Sequence, residues 1–432
     1  MRILFISGEL IGSALCQRFL REGHEVKLYI DNVTRKNCLE GIVQKTDDWK
    51  KELSWVGKDG LIVFDDVGYG DIQDGLRTQG YAVFGGTAES DKLELNRAHA
   101  QSILHKYKIK VLPSFNFKSV DAAIDFLQEN GGKWVVKQTS HISVLNHVGE
   151  KDDCSDIIEV LKTYKQRRVR NVHLQKRAAG VEVGVARYFN GTEWVGPIEI
   201  NHEHKRLNEG DTGPLTAEMG TVIWHTEDER NKLFKTVLEP ITPHLQKICY
   251  KGDIDVNCIV TETDAWPLEL TPRLGSPSTQ LQCELYDSSI ADFFAAIARG
   301  EQYDLNYRDH FGVVNAIATG PFPFPPEDDE TDWLSREYPF QIDSAELDEK
   351  ELESIHIEEI SIHPDNENEM YWAGEFGYAA FVTASANTIP EAQAKVERLR
   401  NSITIPEIKY RTDIGDRVHN NDLPLLKKWG WI

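Results

Sequence analysis

The chain has 432 residues, with 48 Lys and Arg against 70 Asp and Glu, for a formal charge of −22. A balance that acidic repels nucleic-acid backbones and anionic lipid, so neither is an expected partner, and an anionic substrate needs a locally basic pocket. The length exceeds what one hydrophobic core supports and points to two to four domains. Six cysteines (Cys16, Cys38, Cys154, Cys249, Cys258 and Cys283) are scattered without a C-x-x-C pair, as reduced, mostly buried thiols would be. No apolar run reaches transmembrane length and the first residues run straight into a strand rather than a signal peptide, so a cytoplasmic protein is expected.

Arg2 to Ser7 is an apolar run suited to a buried parallel strand; Gly8 and Gly12 bracket a turn, and Ser13 to Arg21 can form a helix closed by Gly23. Further strands are expected at Val26 to Ile30, Leu61 to Phe64 and Ala82 to Phe84, an alternation with helices that indicates a doubly wound, mainly parallel sheet. A helix from Glu89 to Tyr107 follows, broken by Pro113. Then come a helix from Val120 to Gln128, a short strand at Trp134 to Lys137 and a helix from Asp156 to Tyr164, together a small α+β unit.

From Val172 the pattern becomes antiparallel. Glu182 to Phe189 and Glu193 to Ile200 flank Asn190-Gly191, a pair favoured in type I′ hairpin turns. A helical stretch is expected over Glu227 to Ile248, then a hairpin of Asp253 to Val260 with Trp266 to Leu270. Pro321 to Thr331, rich in proline and acid, reads as a connector to strands and a helix from Pro390 to Arg400. Side chains alternate along a strand, so Asp253, Asp255 and Asn257 share one face, as do Glu269 and Thr271; if the two faces coincide, oxygen donors converge as magnesium requires. His202-x-His204 lacks a suitably spaced third ligand for zinc, and a structural pair is expected.

His204-Lys205-Arg206 leads into Asn208-Glu209-Gly210-Asp211-Thr212-Gly213-Pro214 and on to Met219-Gly220. This stretch resembles the signature of the phosphoribosylamine–glycine ligase family, in the ATP-grasp superfamily. Glu269 to Gln280 resembles the same family's E-x-N-x-R-F-G-D-P-E-T-Q segment, and Leu93 to Arg97 resembles its L-E-G-S-K. Gly374 to Thr383 and the ending KYRTDIGDRV resemble its small C-terminal domain. The resemblance implies an ATP-grasp fold of mixed α/β and α+β domains: an N-terminal parallel α/β domain (1–97), a lid with linker (98–180), a catalytic subdomain (181–320) and a C-terminal domain (332–432). It implies a ligase that uses ATP with Mg2+ or Mn2+ to make glycinamide ribonucleotide for purine synthesis, through an acyl phosphate, from an amino acid such as glycine and a phosphorylated amine. The protein would be a monomer or homodimer.

Residue by residue, the resemblance implies that Lys137 and Arg97 clamp nucleotide phosphates while Gln175 and Glu182 face the adenosine. Glu269, with Thr271 and Asn257, would hold the metal. Arg273 would take the amino-acid carboxylate, Asp211 its amine, and Lys205, Arg206 and Thr212 would serve the reacting groups. The turn at Gly8 would receive the substrate phosphate, with Asp66 beside it. The chain departs from the family at Thr271, Leu215, Ala217, Glu218, Ser276 and Ser278, and has no glycine in Gln138 to Ser143. Two other readings follow from these departures: an ATP-grasp ligase for a different amine or amino acid, and a catalytically weakened paralogue with a binding or regulatory role.

Overall fold

The computed structural model describes residues 1–137, 147–169, 171–320, 322–323 and 337–432. Four strands, β1 (Arg2–Ser7), β2 (Glu25–Ile30), β3 (Leu61–Phe64) and β4 (Val83–Phe84), form a parallel sheet in the order β2-β1-β3-β4. Nearly all of β1 and all of β3 are buried, which explains their continuous apolar runs. The chain steps outward from β1 to β2 and then returns to the other side of β1. A topological switch point therefore opens beyond the carboxyl ends of β1 and β3, where Gly8 and Asp65-Asp66 sit. The single helix expected over Glu89 to Tyr107 is two, Ala88–Leu95 and Arg97–Lys106. Asn96 adopts an extended backbone between them and its side chain accepts from the His99 amide to cap the second.

The segment expected to form the lid is an antiparallel sheet of β5 (Ser114–Phe117), β6 (Trp134–Lys137), β7 (His147–Val148) and β8 (Val172–Lys176) in the order β5-β8-β6-β7. Helices Val120–Asn130 and Ser155–Gln166 cover it around Leu127, Trp134, Leu161 and Tyr164. The glycine-free segment from Gln138 to Ser143 lies outside the described residues, as does the side chain of Lys137.

The next strands are β9 (Val181–Asn190), β10 (Trp194–Glu203), the small pair β11 (Arg206–Asn208) and β12 (Thr212–Leu215), then β13 (Gly220–Thr226), β14 (Lys251–Val260), β15 (Ala265–Thr271) and β16 (Phe311–Ala318). The C-terminal part adds β17 (Pro339–Ile342), β18 (Ile355–Ile357), β19 (Ile360–His363), β20 (Asn366–Trp372), β21 (Tyr378–Ala386) and β22 (Ile403–Thr404). The central sheet runs β15-β14-β9-β10-β13-β16-β21-β18, so two strands from the last hundred residues extend it; β19, β20, β17 and β22 form a separate sheet.

Period-two alternation splits the central sheet cleanly. Val181, Val183, Val185, Ile198, Ile200, Ile254, Val256 and Cys258 pack against Leu233, Phe234, Leu238, Leu245 and the C-terminal Leu426 and Trp431. The opposite face carries the polar side chains of the site. Two local expectations fail. Only Gly191, not Asn190, has a positive φ, so the β9–β10 turn is not type I′; Asn190 instead accepts from the Thr192 and Glu193 amides. The stretch Glu227 to Ile248 holds a π turn at Phe234–Leu238, a 3-10 turn at Glu239–Ile241 and a short helix Thr242–Lys247. Pro240 and Pro243, which lack an amide hydrogen, each enter at the start of a new segment.

Candidate active site

The two hairpin faces coincide. In register, Asn257 stands opposite Glu269 and Asp255 opposite Thr271, while across β9 the same rows continue through Gly184 to Asn201 and through Ala186 to Glu199. The small residues on β9 let the long side chains of its neighbours meet above it. A Cβ on Gly184 would lie 2.0 Å from the Asn201 Oδ1, and Asn201 Nδ2 crosses over to donate to Asp255. A β-bulge between Asn257 and Cys258 leaves Leu268 as the extra residue on β15 and re-aims Glu269 onto the polar face. Pro267 is tolerated there because β15 is an edge strand.

Asn257, 4% exposed, donates to Glu182 Oε1 at 3.1 Å and to Glu203 Oε2 at 2.7 Å, and its own Oδ1 has no partner among the described residues. Lys205 closes the cluster, with Nζ 2.8 Å from Glu203 and 3.0 Å from Glu269. Burial opposes the Lys205 charge, but Glu203, Glu269 and Glu182 outweigh it and push its pKa well above the ordinary lysine value. Burial, opposed by Lys205 and reinforced by Glu269 and Glu182, raises the Glu203 carboxyl. Asp255 is pushed up to about 8 by burial and by Glu203. The donor set is hard oxygen throughout, which suits magnesium. Among the described residues no three acidic, His or Cys side chains form a cage. That fits a cation bound by one or two carboxylates with the remaining positions on phosphate and water.

Beside this cluster a cavity of about 600 Å³ opens between the lid and the central sheet. Its apolar part is made by Leu112, Val135, Val148, Ile259 and Leu268, its rim by the segment Gln175 to Gly180, and its polar part by Glu182, Glu203, Lys205, Arg206 and Asp211. Gln175 and Glu182 are thus brought together as expected. The cavity lining holds five cations (Lys176, Arg177, Lys205, Arg206, Arg417) against four carboxylates (Glu182, Glu203, Asp211, Asp422), a net positive charge within a chain of −22.

Asp211 does not stand open as an acceptor for a substrate amine. Its carboxylate is held by Arg411 at 2.8 Å and Arg417 at 2.6 Å, both from the C-terminal segment. Arg411, 1% exposed, also grips Asp413, and Arg417 pairs with Asp422 and donates to the Glu203 carbonyl. These arginines, missed in the sequence, fix the signature turn against the cavity; the alternation of Arg and Asp in KYRTDIGDRV was the signal. Thr212 is also corrected: it is exposed, its hydroxyl donates to the Glu209 carbonyl within the turn, and it does not line the cavity. His202 and His204 are buried, as a structural pair would be. His202 stacks on Trp224 with Asp422 3.7 Å away, and burial with the nearby Arg417 pushes the two rings down to about 3 and about 4.

A second polar cluster lies at the switch point of the parallel sheet. Arg273 reaches it from the strand-to-helix loop after β15, with Nη2 3.2 Å from Glu94 and Nε 4.0 Å from Asp66. Gly8 is needed because Asp66 leans on it: a Cβ there would sit 2.8 Å from the Asp66 Oδ2. The Gly8 turn is not an open anion site, however. The Gly8 and Gly12 amides and the Ser7 hydroxyl all donate to Asp65, whose carboxyl burial and Asp66 raise to about 7. Arg97 does not line the large cavity; it is mostly buried, Nη1 has no hydrogen-bond partner, and its nearest electrostatic counterpart is Glu269. Glu269 also acts on Arg273 and bonds Lys205, so it links this cluster to the cavity lining.

Residues 95–279 match the family model described as phosphoribosylglycinamide synthetase, ATP-grasp (A) domain. Over that segment the chain is similar to this ATP-grasp family. The phosphoribosylamine–glycine ligase of Listeria innocua is 23% identical over 364 residues, 80% of this chain and 81% of that protein. The crystal structure of the Thermotoga maritima phosphoribosylamine–glycine ligase superposes with a TM-score of 0.71 at 18% identity, covering 96% of this chain and all of the other. A phosphoribosylglycinamide synthetase from Anaerococcus prevotii gives 0.60 at 12% identity, over 94% and 98%. The family's multidomain ATP-grasp fold is therefore that of this chain. Among the described residues no helix is long and apolar enough to cross a membrane.

Proposed function

We propose that this chain is an ATP-dependent carboxylate–amine ligase of the phosphoribosylamine–glycine type, acting in the cytoplasm. The observation that carries the reading is the place of Glu269, bonded to Lys205 on the lining of a nucleotide-sized cavity and acting electrostatically on Arg273 in a separate charged cluster. Such a reaction needs a γ-phosphate delivered at one side of a cation and a carboxylate held at the other. Gln175, Glu182 and the apolar wall receive the nucleoside. Lys205 and Arg206 meet the phosphates, and Lys137 and Arg97 supply further charge. Glu269, Asn257 and Thr271 hold the divalent cation, which neutralises the phosphate chain.

Arg273 presents the amino-acid carboxylate, whose oxygen attacks the γ-phosphorus and releases ADP. The amine nitrogen of phosphoribosylamine then attacks the acyl carbon, phosphate leaves, and the nitrogen loses a proton. The protein's contribution is alignment and preorganised charge. Purified chain with ATP, Mg2+, glycine and fresh phosphoribosylamine should give ADP and glycinamide ribonucleotide in equal amounts. ATP turnover that ignores glycine would overturn the ligase assignment. Turnover only with amines that lack the ribose phosphate would keep the ligase and overturn the amine.

A further inference from the structure

The charged cluster at the end of the parallel sheet contains an unusual set of unfinished bonds. Arg273 Nη1 donates to the carbonyl of Leu274 at 2.9 Å and Nη2 to Glu94 Oε1 at 3.2 Å, which fixes the plane of the guanidinium. Arg273 Nε and Glu94 Oε2 are each shielded from solvent without a hydrogen-bond partner among the described residues. Each such atom carries a cost that native proteins rarely leave uncompensated. One is a donor on a cation, and the other is an acceptor on the carboxylate beside it. A simple anion would satisfy the donor and leave Glu94 facing like charge. A simple cation would do the reverse. A zwitterion completes both.

We propose that Glu94 is a specificity residue of the ligase: its Oε2 receives the α-ammonium of the amino-acid substrate while Arg273 holds the carboxylate. The proposal rests on the assignment of Arg273 under Proposed function and extends it to the other end of the same molecule. Asp66, 4.0 Å from Arg273 on the opposite side, adds to the negative potential at the ammonium. The arrangement also has a chemical consequence. An α-amine held protonated has no lone pair to offer, so the bound amino acid serves only as the acyl donor and cannot itself act as the attacking amine.

The test compares glycine with glycolate, which keeps the carboxylate and replaces the ammonium by a hydroxyl. Wild type should use or bind glycine about 10- to 100-fold better than glycolate, the range of a charged hydrogen bond. Glu94→Gln should lose glycine affinity by a similar factor, leave glycolate within about threefold, and leave the KM for ATP unchanged; Glu94→Asp should recover part of the loss. A wild type that does not discriminate overturns the proposal, whatever the variant does. So does a Glu94→Gln protein that loses glycine and glycolate equally, since that marks Glu94 as a support for Arg273 alone. If Arg273→Met leaves glycine saturation intact, the assignment of Arg273 itself fails, an outcome separate from discrimination lost only at Glu94.

Discussion

Asp255→Asn should make the protein more stable, and increasingly so as pH rises. Asp255 sits under the polar face, bonded to Asn201 and repelled by Glu203, Glu199 and Glu269, and its pKa is pushed from 3.8 up to about 8. The folded state therefore holds a proton that the unfolded chain has already released at neutral pH. For a carboxyl raised in this way, stability is present at low pH and lost as pH climbs from the unfolded value towards the folded one. One proton of difference corresponds to about 1.4 kcal/mol per pH unit, and the whole shift to something on the order of 5 kcal/mol. Asparagine keeps an oxygen for Asn201 and removes the titration. Urea unfolding of both proteins at several pH values between about 5 and 7.5 should give a slope shallower by about 1.4 kcal/mol per unit for the variant. Asp65 and Glu358, raised to about 7 and about 8 by burial, contribute the same sign in both proteins and cancel in the comparison. Parallel slopes would refute the account of Asp255 as a buried, protonated carboxyl.

Arg411→Met should destabilise the fold by about 3–5 kcal/mol in urea titrations, because it strands Asp211 and Asp413 without their buried partner; a loss below about 1 kcal/mol would show that Arg417 alone suffices. Gly12→Ala should cost about 1–3 kcal/mol, since its Cβ would lie 2.5 Å from the Phe5 ring. Gly75→Ala, mid-helix with open space around it, should instead gain about 0.5–1 kcal/mol. Mn2+ binding in the presence of ADP, followed by electron paramagnetic resonance, should weaken at least about tenfold in Glu269→Gln and tighten in Thr271→Asn, whose amide oxygen is the better ligand; unchanged affinity in the first would remove Glu269 from the cation.

The strands that build the site were legible because their alternation has period two. Asp253-x-Asp255-x-Asn257 and Glu269-x-Thr271 each declare a polar face, and the apolar residues between them declare the opposite one. Their register was not legible, because it depends on the bulge that makes Leu268 the extra residue, which no local pattern announces. Glu203 was hidden for a related reason. It reads as one more charge beside the His-Lys-Arg run, and only pairing with β9 and β13 places it over Asn257. Arg411 and Arg417 lie some two hundred residues beyond Asp211, so the expectation of an open carboxylate there could be corrected only by the fold. Asn96 splits its helix by accepting from the His99 amide, a choice that weak helix propensity permits but does not dictate.

The charge of the chain bears on the chemistry through the cavity lining. An acidic protein that uses a nucleotide triphosphate must reverse its potential locally, and five cations against four carboxylates achieve that by a margin of one charge. Most of those cations are also engaged: Lys205 with Glu203 and Glu269, Arg417 with Asp211 and Asp422, Arg177 with Glu150. One net charge does not neutralise a triphosphate, so tight binding depends on a divalent cation entering with it. Under the proposed reading that cation would compete with Lys205 for Glu269, and the lysine would turn to the phosphates or to Glu203 alone. Nucleotide affinity measured by calorimetry should therefore rise steeply with Mg2+ in the wild type. In Lys205→Met, Mn2+ should bind more tightly without nucleotide, because the resident ammonium is gone, while ATP binds more weakly. A Lys205→Met protein whose metal affinity falls together with its ATP affinity would mean that the lysine supports the cation site instead of occupying it.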